Sequence, residues 1–189
     1  MFTHNIRFEN FKNKRKDKKI SIFLLKLLKE DNEVLNSLKS NYINSYKTKD
    51  ITKFKKFSNF LLIGMGGSIL GARAIYSFLK KKIKGNFFFK DNFDLEKKYN
   101  KKLNLIISKS GNTLETIANA NILINKGEKN IFITENKKSY LSDLAKKLKS
   151  EIIHHNNFIG GRYSVLSEVG MLPAELMGLK VSKFRKLNN

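Results

Sequence analysis

Phe60-Leu61-Leu62-Ile63-Gly64-Met65-Gly66-Gly67-Ser68 is the stretch of sequence that decides the fold. Its four successive apolar residues predict a short strand that is buried on both faces. The glycines predict a tight turn, and the residues from 68 to about 81 have the spacing of a helix. Such a turn needs glycines whether or not it binds a ligand. It also exposes backbone N–H groups at the positive end of a helix dipole, which suits a phosphate.

The same order of a short apolar run, a small-residue turn and a helical pattern recurs along the chain. Further strands are predicted at 86–89, 103–107, 130–134 and 151–154, and further helices at 113–125 and 139–148. Continuously apolar strands that alternate with helices are typical of a parallel sheet covered on both faces. We therefore expect an α/β fold, a three-layer sandwich in which helices flank a mainly parallel five-stranded sheet. In such a sheet, ligands bind beyond the carboxyl ends of the strands.

Helical patterns also lie on either side of this region. Apolar residues recur at helical spacing from 20 to about 46, with a break predicted at Asp31-Asn32. The apolar segment 168–177 is expected to be helical around Pro173. We therefore divide the chain into a mostly helical N-terminal arm (1–55), a sheet domain (56–180) and a short tail (181–189).

The length and the composition limit the class of protein. The chain has 189 residues, enough for one well-packed domain with an extra arm. It has no cysteine, which excludes disulfides, thiolate metal sites and cysteine nucleophiles. There is no apolar run of about eighteen residues, and residues 1–19 lack the apolar centre of a signal peptide. We therefore expect a soluble, cytoplasmic protein with no membrane partner.

The formal net charge of +22 would by itself suggest a nucleic acid as the partner. Only five of the 38 basic residues are arginine, however, and the lysines are scattered over the whole chain. Phosphate and base recognition favour the bidentate fork of arginine. The composition therefore favours a solvated lysine surface and no specific nucleic-acid site. The same charge would still raise the encounter rate with small phosphorylated metabolites.

A second polar loop, residues 108–116 (SKSGNTLET), follows the predicted strand 103–107. It offers several hydroxyl groups and one ammonium group just before a helix. Capping of that helix by Asn112 or Thr113 would explain one polar side chain. It leaves Ser108 and Ser110 unexplained, and we therefore favour the binding of an oxyanion such as a phosphate monoester.

A third segment, residues 157–167 (NFIGGRYSVLS), places Arg162 directly after Gly160 and Gly161. We call it the GGR segment. The glycines let the main chain approach a ligand closely, and a guanidinium remains charged at any physiological pH. We predict that the three loops together form one site for an anionic ligand.

The histidines and carboxylates give weaker signals. His154 and His155 are adjacent on a predicted strand and point to opposite faces, so at most one could face the site. We assign neither a catalytic role. The sequence has no paired-carboxylate spacing and no metal-ligand spacing, so we expect no metal.

With these three segments in this order, residues 60–179 resemble the glucose-6-phosphate isomerase family and its sugar-isomerase (SIS) domain. The resemblance is carried by 63–71 (IGMGGSILG), 108–116 and 160–167 (GGRYSVLS), of which the last is the most specific. It implies interconversion of glucose 6-phosphate and fructose 6-phosphate through an enediolate, without a cofactor. It also implies a homodimer at full length, a cytoplasmic location and a role in glycolysis and gluconeogenesis.

Carried over position by position, the resemblance assigns roles to the loops. The sugar phosphate would be held by the side chains of Ser68, Ser108, Ser110 and Thr113, assisted by the backbone at Lys109. The main chain would approach the ligand at Gly66, Gly67, Gly160 and Gly161. Arg162 would lie near the reacting carbons, where its charge would stabilise the enediolate.

Two features depart from the family. Glu168 stands where the family usually has a small residue, which concerns the packing beneath the site. In the family, the glutamate base, the histidine that helps to open the sugar ring and a C-terminal lysine lie in a second SIS domain and a tail. We expect that second domain to be absent from this chain. We therefore expect this chain to be the N-terminal portion of an isomerase, truncated within 181–189 and inactive alone because it lacks the general base.

Two other functions compete with this one. A free-standing SIS module that binds a phosphosugar without turnover would need the same phosphate-binding residues, but it would have little use for an arginine aimed at the reacting carbons. Binding of nucleic acid through the lysines is the third hypothesis, and it requires an affinity that survives physiological salt.

Overall fold

The fold is built on a five-stranded sheet. The computed structural model describes residues 18–93 and 102–186. The strands are β1 (Asn59–Gly64), β2 (Asn86–Lys90), β3 (Lys102–Ile107), β4 (Lys129–Glu135) and β5 (Glu151–His155), in the spatial order β2-β1-β3-β4-β5. All four pairings are parallel. The predicted α/β fold with a five-stranded sheet is therefore confirmed.

Seven α-helices accompany the sheet in the described residues: α1 (Lys18–Lys29), α2 (Glu33–Leu38), α3 (Thr48–Thr52), α4 (Gly67–Leu79), α5 (Leu114–Leu123), α6 (Tyr140–Lys147) and α7 (Glu168–Leu176). Short 3-10 helices lie at Lys80–Lys82, Gly161–Leu166 and Val181–Lys183. None of the helices in residues 18–93 and 102–186 is long and apolar enough to cross a lipid bilayer.

The helical pattern predicted from 20 to 46 corresponds to two separate helices. It is interrupted at the predicted place, since the side chain of Asn32 accepts a hydrogen bond from the N–H of Val34 and caps α2. The second helix ends early, at Leu38. The carbonyl oxygen of Ser37 accepts a hydrogen bond from Arg185 Nε at 3.1 Å, a contact between residues far apart in the sequence.

Each face of the sheet is covered by its own hydrophobic core. Alternate residues of each strand face opposite sides, so Leu62 and Leu105 pack with α4, α7 and residues 46–54, whereas Ile63 and Ile106 pack with α5 and α6. Both sets are fully buried. Burial on both faces explains why the strands are continuously apolar, and it gives the three layers that the sequence predicted.

The residues before and after the sheet region also contribute to packing. Tyr46, Ile51 and Phe54 are buried in the same core as α4 and α7. Phe184, which follows the last 3-10 helix, packs against that core as well. Residues on both sides of the predicted boundaries at 55 and 180 thus contribute to one apolar cluster.

Leu105→Ala should lower the free energy of unfolding by about 2–5 kcal/mol, since Leu105 is fully buried in the central strand and its removal leaves a cavity. Leu114→Ala is the matched control, because Leu114 is 70% exposed and should change stability by less than about 0.5 kcal/mol. Urea unfolding followed by far-ultraviolet circular dichroism measures both. Equal losses from the two variants would contradict this assignment of the core.

Candidate functional site

The first loop joins β1 to α4 at the carboxyl edge of the sheet. Gly64 ends the strand, and a Cβ there would lie 2.9 Å from the carbonyl oxygen of Ile107 at the end of β3. Gly66 has φ +55 and is the N-cap of α4, with no side chain to cap the helix. Ser68 lies in the first turn of that helix and is half-buried. The backbone N–H groups at this helix start therefore have no side-chain acceptor.

The second loop leaves the neighbouring strand at the same edge, since Gly64 of β1 is in register with Ile107 of β3. Ser108 is buried, and its Oγ lies 2.8 Å from Thr113 Oγ1. Thr113 is the N-cap of α5, but its side chain makes no capping hydrogen bond. Capping, one of the two explanations weighed for this loop, therefore does not account for the Thr113 hydroxyl.

The start of α5 contrasts with that of the helices further along the chain. α6 begins with a capping box, in which Ser139 and Ser142 satisfy each other's backbone N–H groups, and α7 begins with Ser167, whose Oγ accepts from the N–H of Val169. Four helices cover the sheet after β1 in the described structure. Of these, only α4 and α5, which start at the first two loops, lack such a cap. Their positive ends remain available to an anion.

The remaining predicted residues of the second loop have different surroundings. Ser110 is exposed, and its Oγ accepts a hydrogen bond from the N–H of Asn112 at 3.2 Å. The carbonyl oxygen of Lys109 accepts from Thr134 Oγ1 and from the N–H of Glu135, which fixes this turn to β4. The loop is thus held by its main chain, and the Ser110 side chain is left at the surface.

The GGR segment lies directly against the first loop. A Cβ on Gly67 would be 2.2 Å from the carbonyl oxygen of Gly161, so the two main chains touch and no side chain fits between them. The hydroxyl of Ser164 lies 3.2 Å from the carbonyl oxygen of Gly67 and 2.7 Å from that of Gly161, and it bridges the two. Gly160, which precedes this contact, is half-buried.

Lys109 joins the second loop to the GGR segment. Its Nζ donates to the carbonyl oxygen of Asn157 at 2.7 Å and lies 3.3 Å from a carboxylate oxygen of Glu135. Burial raises the pKa of Glu135, but hydrogen bonds and charge interactions with Lys137 and Lys109 outweigh it, so this pKa lies below its ordinary value. The family resemblance implies that the backbone of Lys109 assists in binding the ligand. In the structure, the ammonium group of Lys109 connects the second loop to the GGR segment.

Arg162 lies in the 3-10 helix Gly161–Leu166 and is exposed. Within residues 18–93 and 102–186, its guanidinium makes no hydrogen bond or ion pair with another described side chain. Among the described residues, the cation is therefore held near the glycine contact by its main chain alone, and its donors have no partner.

Direct contacts thus bring together the first loop and the GGR segment through Gly67 and Gly161, and the second loop and the GGR segment through Lys109. A cavity of about 200 Å³ lies at the opposite edge of the sheet, between residues such as Lys53, Lys129 and Lys149. None of the predicted site residues lines that cavity. We place the candidate site at the carboxyl edge, where the loops meet.

Two buried groups beneath the GGR segment were not assigned to the site from the sequence. His155 ends β5 and Glu168 begins α7, and their side chains are in contact. The only signal in the sequence was Glu168 itself, a charged residue at the start of a mostly apolar helix. The role of Ser164 could not be read from the sequence either, since its contact with the carbonyl oxygen of Gly67 forms only in the folded chain.

The comparisons with known proteins identify the family of this chain. The sequence profile of the family described as phosphoglucose isomerase matches residues 10–187. A relative from Methanococcus maripaludis, named probable glucose-6-phosphate isomerase, is 35% identical over 95% of this chain. This chain spans only 44% of that relative's length.

Solved structures share the fold. A hypothetical protein, TT0462, from Thermus thermophilus matches 87% of this chain and 44% of its own chain, with a TM-score of 0.69 and 23% identity. The Escherichia coli CFT073 protein c3406, solved as a ligand complex, matches 92% of this chain and 100% of its own, with a TM-score of 0.57 and 19% identity. At these identities the structures support the fold alone.

Gly67→Ala should displace the GGR segment, because its Cβ would overlap the main chain of Gly161. We expect a loss of about 1–3 kcal/mol in the free energy of unfolding, typical of overpacking. Gly160→Ala is the matched control, since a Cβ there meets only a ring carbon of Tyr163 at 3.6 Å and φ is −68. Chemical denaturation measures both, and equal tolerance of the two substitutions would refute the close contact.

Proposed function

Because this chain belongs to the phosphoglucose isomerase family, we propose that its three loops bind the phosphate of a hexose 6-phosphate and that Arg162 faces the reacting carbons of the sugar. The observation that carries the proposal is the main-chain contact between Gly67 and Gly161. It puts the segment that bears Arg162 beside the uncapped start of α4. An arginine and a phosphate-binding helix end thus lie on one edge of the sheet.

The phosphate is bound by the first two loops. The N-termini of α4 and α5 direct uncapped N–H groups and the positive ends of two helix dipoles towards it. The side chains of Ser68, Ser108, Ser110 and Thr113 add hydroxyl donors, with Lys109 alongside. Ser108 and Thr113 already share a hydrogen bond at 2.8 Å, and either hydroxyl can turn to donate to a phosphate oxygen. This division leaves Arg162 free for the other end of the sugar.

The reaction is the interconversion of glucose 6-phosphate and fructose 6-phosphate. A proton leaves C2 of the aldose and reaches C1 of the ketose, and negative charge builds up on the two oxygens of the enediolate between these steps. Arg162 stabilises that charge, because its guanidinium is permanently protonated and makes no hydrogen bond with another described residue. The general base is not among these residues. It belongs to the part of the family's sequence that this chain does not cover, since the chain spans 44% of its relative's length. The chain alone is then a binding half without turnover.

A free-standing phosphosugar-binding module is the second candidate. The observation that favours it is c3406, a whole chain with this fold and of nearly this extent. Both candidates require the same phosphate contacts. They differ in whether the gene product that contains this chain turns over substrate and whether Arg162 matters for that turnover.

The chain should bind glucose 6-phosphate and inorganic phosphate, and it should bind glucose too weakly to measure. Ser108→Ala and Thr113→Val should each weaken binding of glucose 6-phosphate about tenfold, since each removes a hydrogen bond to a charged group worth roughly 1.5 kcal/mol. Ser77→Ala is the control, because Ser77 is exposed at the far end of α4. Isothermal titration calorimetry provides the dissociation constants. Similar affinities for glucose and for its phosphate would exclude this site.

Arg162→Ala should lower kcat by about 100-fold or more in the gene product that contains this chain, with a smaller effect on KM, because the lost interaction forms mainly with the enediolate. Arg73→Ala is the matched control, since Arg73 is an exposed arginine that pairs with Asp91 and belongs to none of the three loops. Formation of fructose 6-phosphate is followed by a coupled assay. Binding without turnover would support the free-standing module, and unchanged turnover by Arg162→Ala would remove the assigned role.

A further inference from the structure

A buried acid–base pair lies beneath the GGR segment. His155 Nδ1 and Glu168 Oε1 are 2.5 Å apart, and each side chain is only 1% exposed. The proposed chemistry uses neither group. Burying two ionisable side chains is costly unless they are paired and hydrogen-bonded, so the contacts of this pair indicate what it does.

Both ring nitrogens of His155 face an oxygen acceptor. Nδ1 faces the carboxylate of Glu168, and Nε2 lies 2.9 Å from the carbonyl oxygen of Ile159. A carbonyl cannot donate, so Nε2 must carry a proton. A neutral imidazole has only one N–H, and therefore Nδ1 can donate to Glu168 only if the ring is doubly protonated.

The surroundings of Glu168 favour its ionised form. Its Oε1 also accepts the backbone N–H of Asn156 at 3.0 Å. Burial raises the pKa of Glu168, but the hydrogen bonds from His155 and from backbone N–H groups outweigh it, and the net pKa lies below its ordinary value. An ionised carboxylate only accepts, so the proton between the two groups belongs to the imidazole.

Other titratable groups surround the pair without replacing its contacts. The hydroxyl of Tyr42 lies 3.5 Å from Glu168 Oε2, and burial raises the pKa of Tyr42 to about 12, so it stays neutral. The guanidinium of Arg185 lies over the ring of Tyr42, 5.0 Å from its centroid. Glu135, which is in register with His155 on the neighbouring strand, is paired with lysines, and Glu33 binds the side chain of Asn156.

Three side chains from other parts of the chain hold the GGR segment by its carbonyl groups. Lys109 donates to Asn157, His155 to Ile159, and Arg185 to Leu166. Of these carbonyls, that of Ile159 is the nearest in sequence to Gly160-Gly161-Arg162. Two glycines separate it from Arg162, and glycine restricts the main chain least. Because the carbonyl group of Ile159 is held immediately before the two glycines, the positions that Arg162 can occupy are limited.

We propose that His155, held doubly protonated by the Glu168 carboxylate, is a positioning residue that fixes the main chain before Gly160 and so sets the location of the Arg162 guanidinium. The proposal rests on the function assigned to Arg162 above. It predicts that loss of His155 harms only those ligands that Arg162 contacts. Inorganic phosphate, which the first two loops bind, is the internal reference.

The protonation state is tested on the unmodified chain and two variants by ¹⁵N nuclear magnetic resonance of the histidine side chains. We expect both ring nitrogens of His155 to carry protons at pH 7. Glu168→Gln removes the partner charge and should leave a neutral ring. Glu175→Gln removes another buried carboxylate of α7, one that pairs with Lys55, and should leave the ring doubly protonated. A neutral ring in the unmodified chain, or a doubly protonated ring in Glu168→Gln, would overturn the proposal.

The positioning role is tested with arabinonate 5-phosphate, whose carboxylate resembles the charge of the enediolate. His155→Gln should weaken its binding about tenfold and change the affinity for inorganic phosphate less than twofold. In an Arg162→Ala background, His155→Gln should have little further effect, since a positioning residue acts through the arginine. Equal losses for both ligands, or the same loss in both backgrounds, would show a structural role only and refute positioning.

The same titrations separate this proposal from the function on which it rests. If Arg162→Ala itself leaves the affinity for arabinonate 5-phosphate unchanged, the role of Arg162 is wrong and positioning of it falls too. If Arg162→Ala weakens binding and His155→Gln does not, only the positioning role is wrong. If His155→Gln does not fold, Glu168→Gln replaces it in the titrations, with the same expected split between the two ligands and Glu175→Gln as its control.

Discussion

The close approach of two main chains, at Gly67 and Gly161, is the constraint on which the site depends. A side chain at Gly67 would occupy the position of the Gly161 carbonyl group, so the contact exists only with glycine. The same joint continues along the helices, because a Cβ on Gly71 or on Gly170 would overlap Val165. α4, the GGR segment and α7 are therefore packed backbone to backbone. This packing fixes a loop that would otherwise be too rich in glycine to hold an arginine in one place.

The sheet determines where this joint lies. Parallel strands bring all their carboxyl ends to one edge, and the helices that follow β1 and β3 start there as neighbours. The four helices differ in their N-terminal caps. A serine side chain caps α6 and α7, whereas no side chain caps α4 or α5. Leaving two adjacent helix starts without a side-chain acceptor costs stability. A dianionic ligand that accepts hydrogen bonds from the N–H groups of both helix starts would restore the lost stability. The two uncapped helices are therefore a physical argument for anion binding.

The sequence predicted the sheet well because every strand is buried on both faces and is therefore apolar throughout. It did not predict α3, five mostly polar residues whose stability comes from burial of Ile51 in the core. It also placed the end of the second helix too late, since the carbonyl group of Ser37 is used by Arg185, a partner 148 residues away. In the candidate site, loop composition suggested the phosphate contacts, and these stay a prediction. The Lys109 and His155 contacts depend on side chains that meet only after folding, and no local pattern reports them.

The positive charges of the chain have two separate roles, attraction of anions and discrimination among them. The composition does not distinguish these roles. A net charge of +22 attracts any anion over about one Debye length, roughly 8 Å at physiological salt, and does not distinguish one from another. Discrimination requires cations whose positions are fixed. Around the GGR segment, Lys109, His155 and Arg185 use their protons on main-chain carbonyl groups, and Arg162 has no such partner among the described residues. In the proposed function, these three side chains hold the main chain so that Arg162 can meet the ligand. Selectivity would then follow from that fixed geometry, and the lysine-rich surface would add only to the rate of encounter.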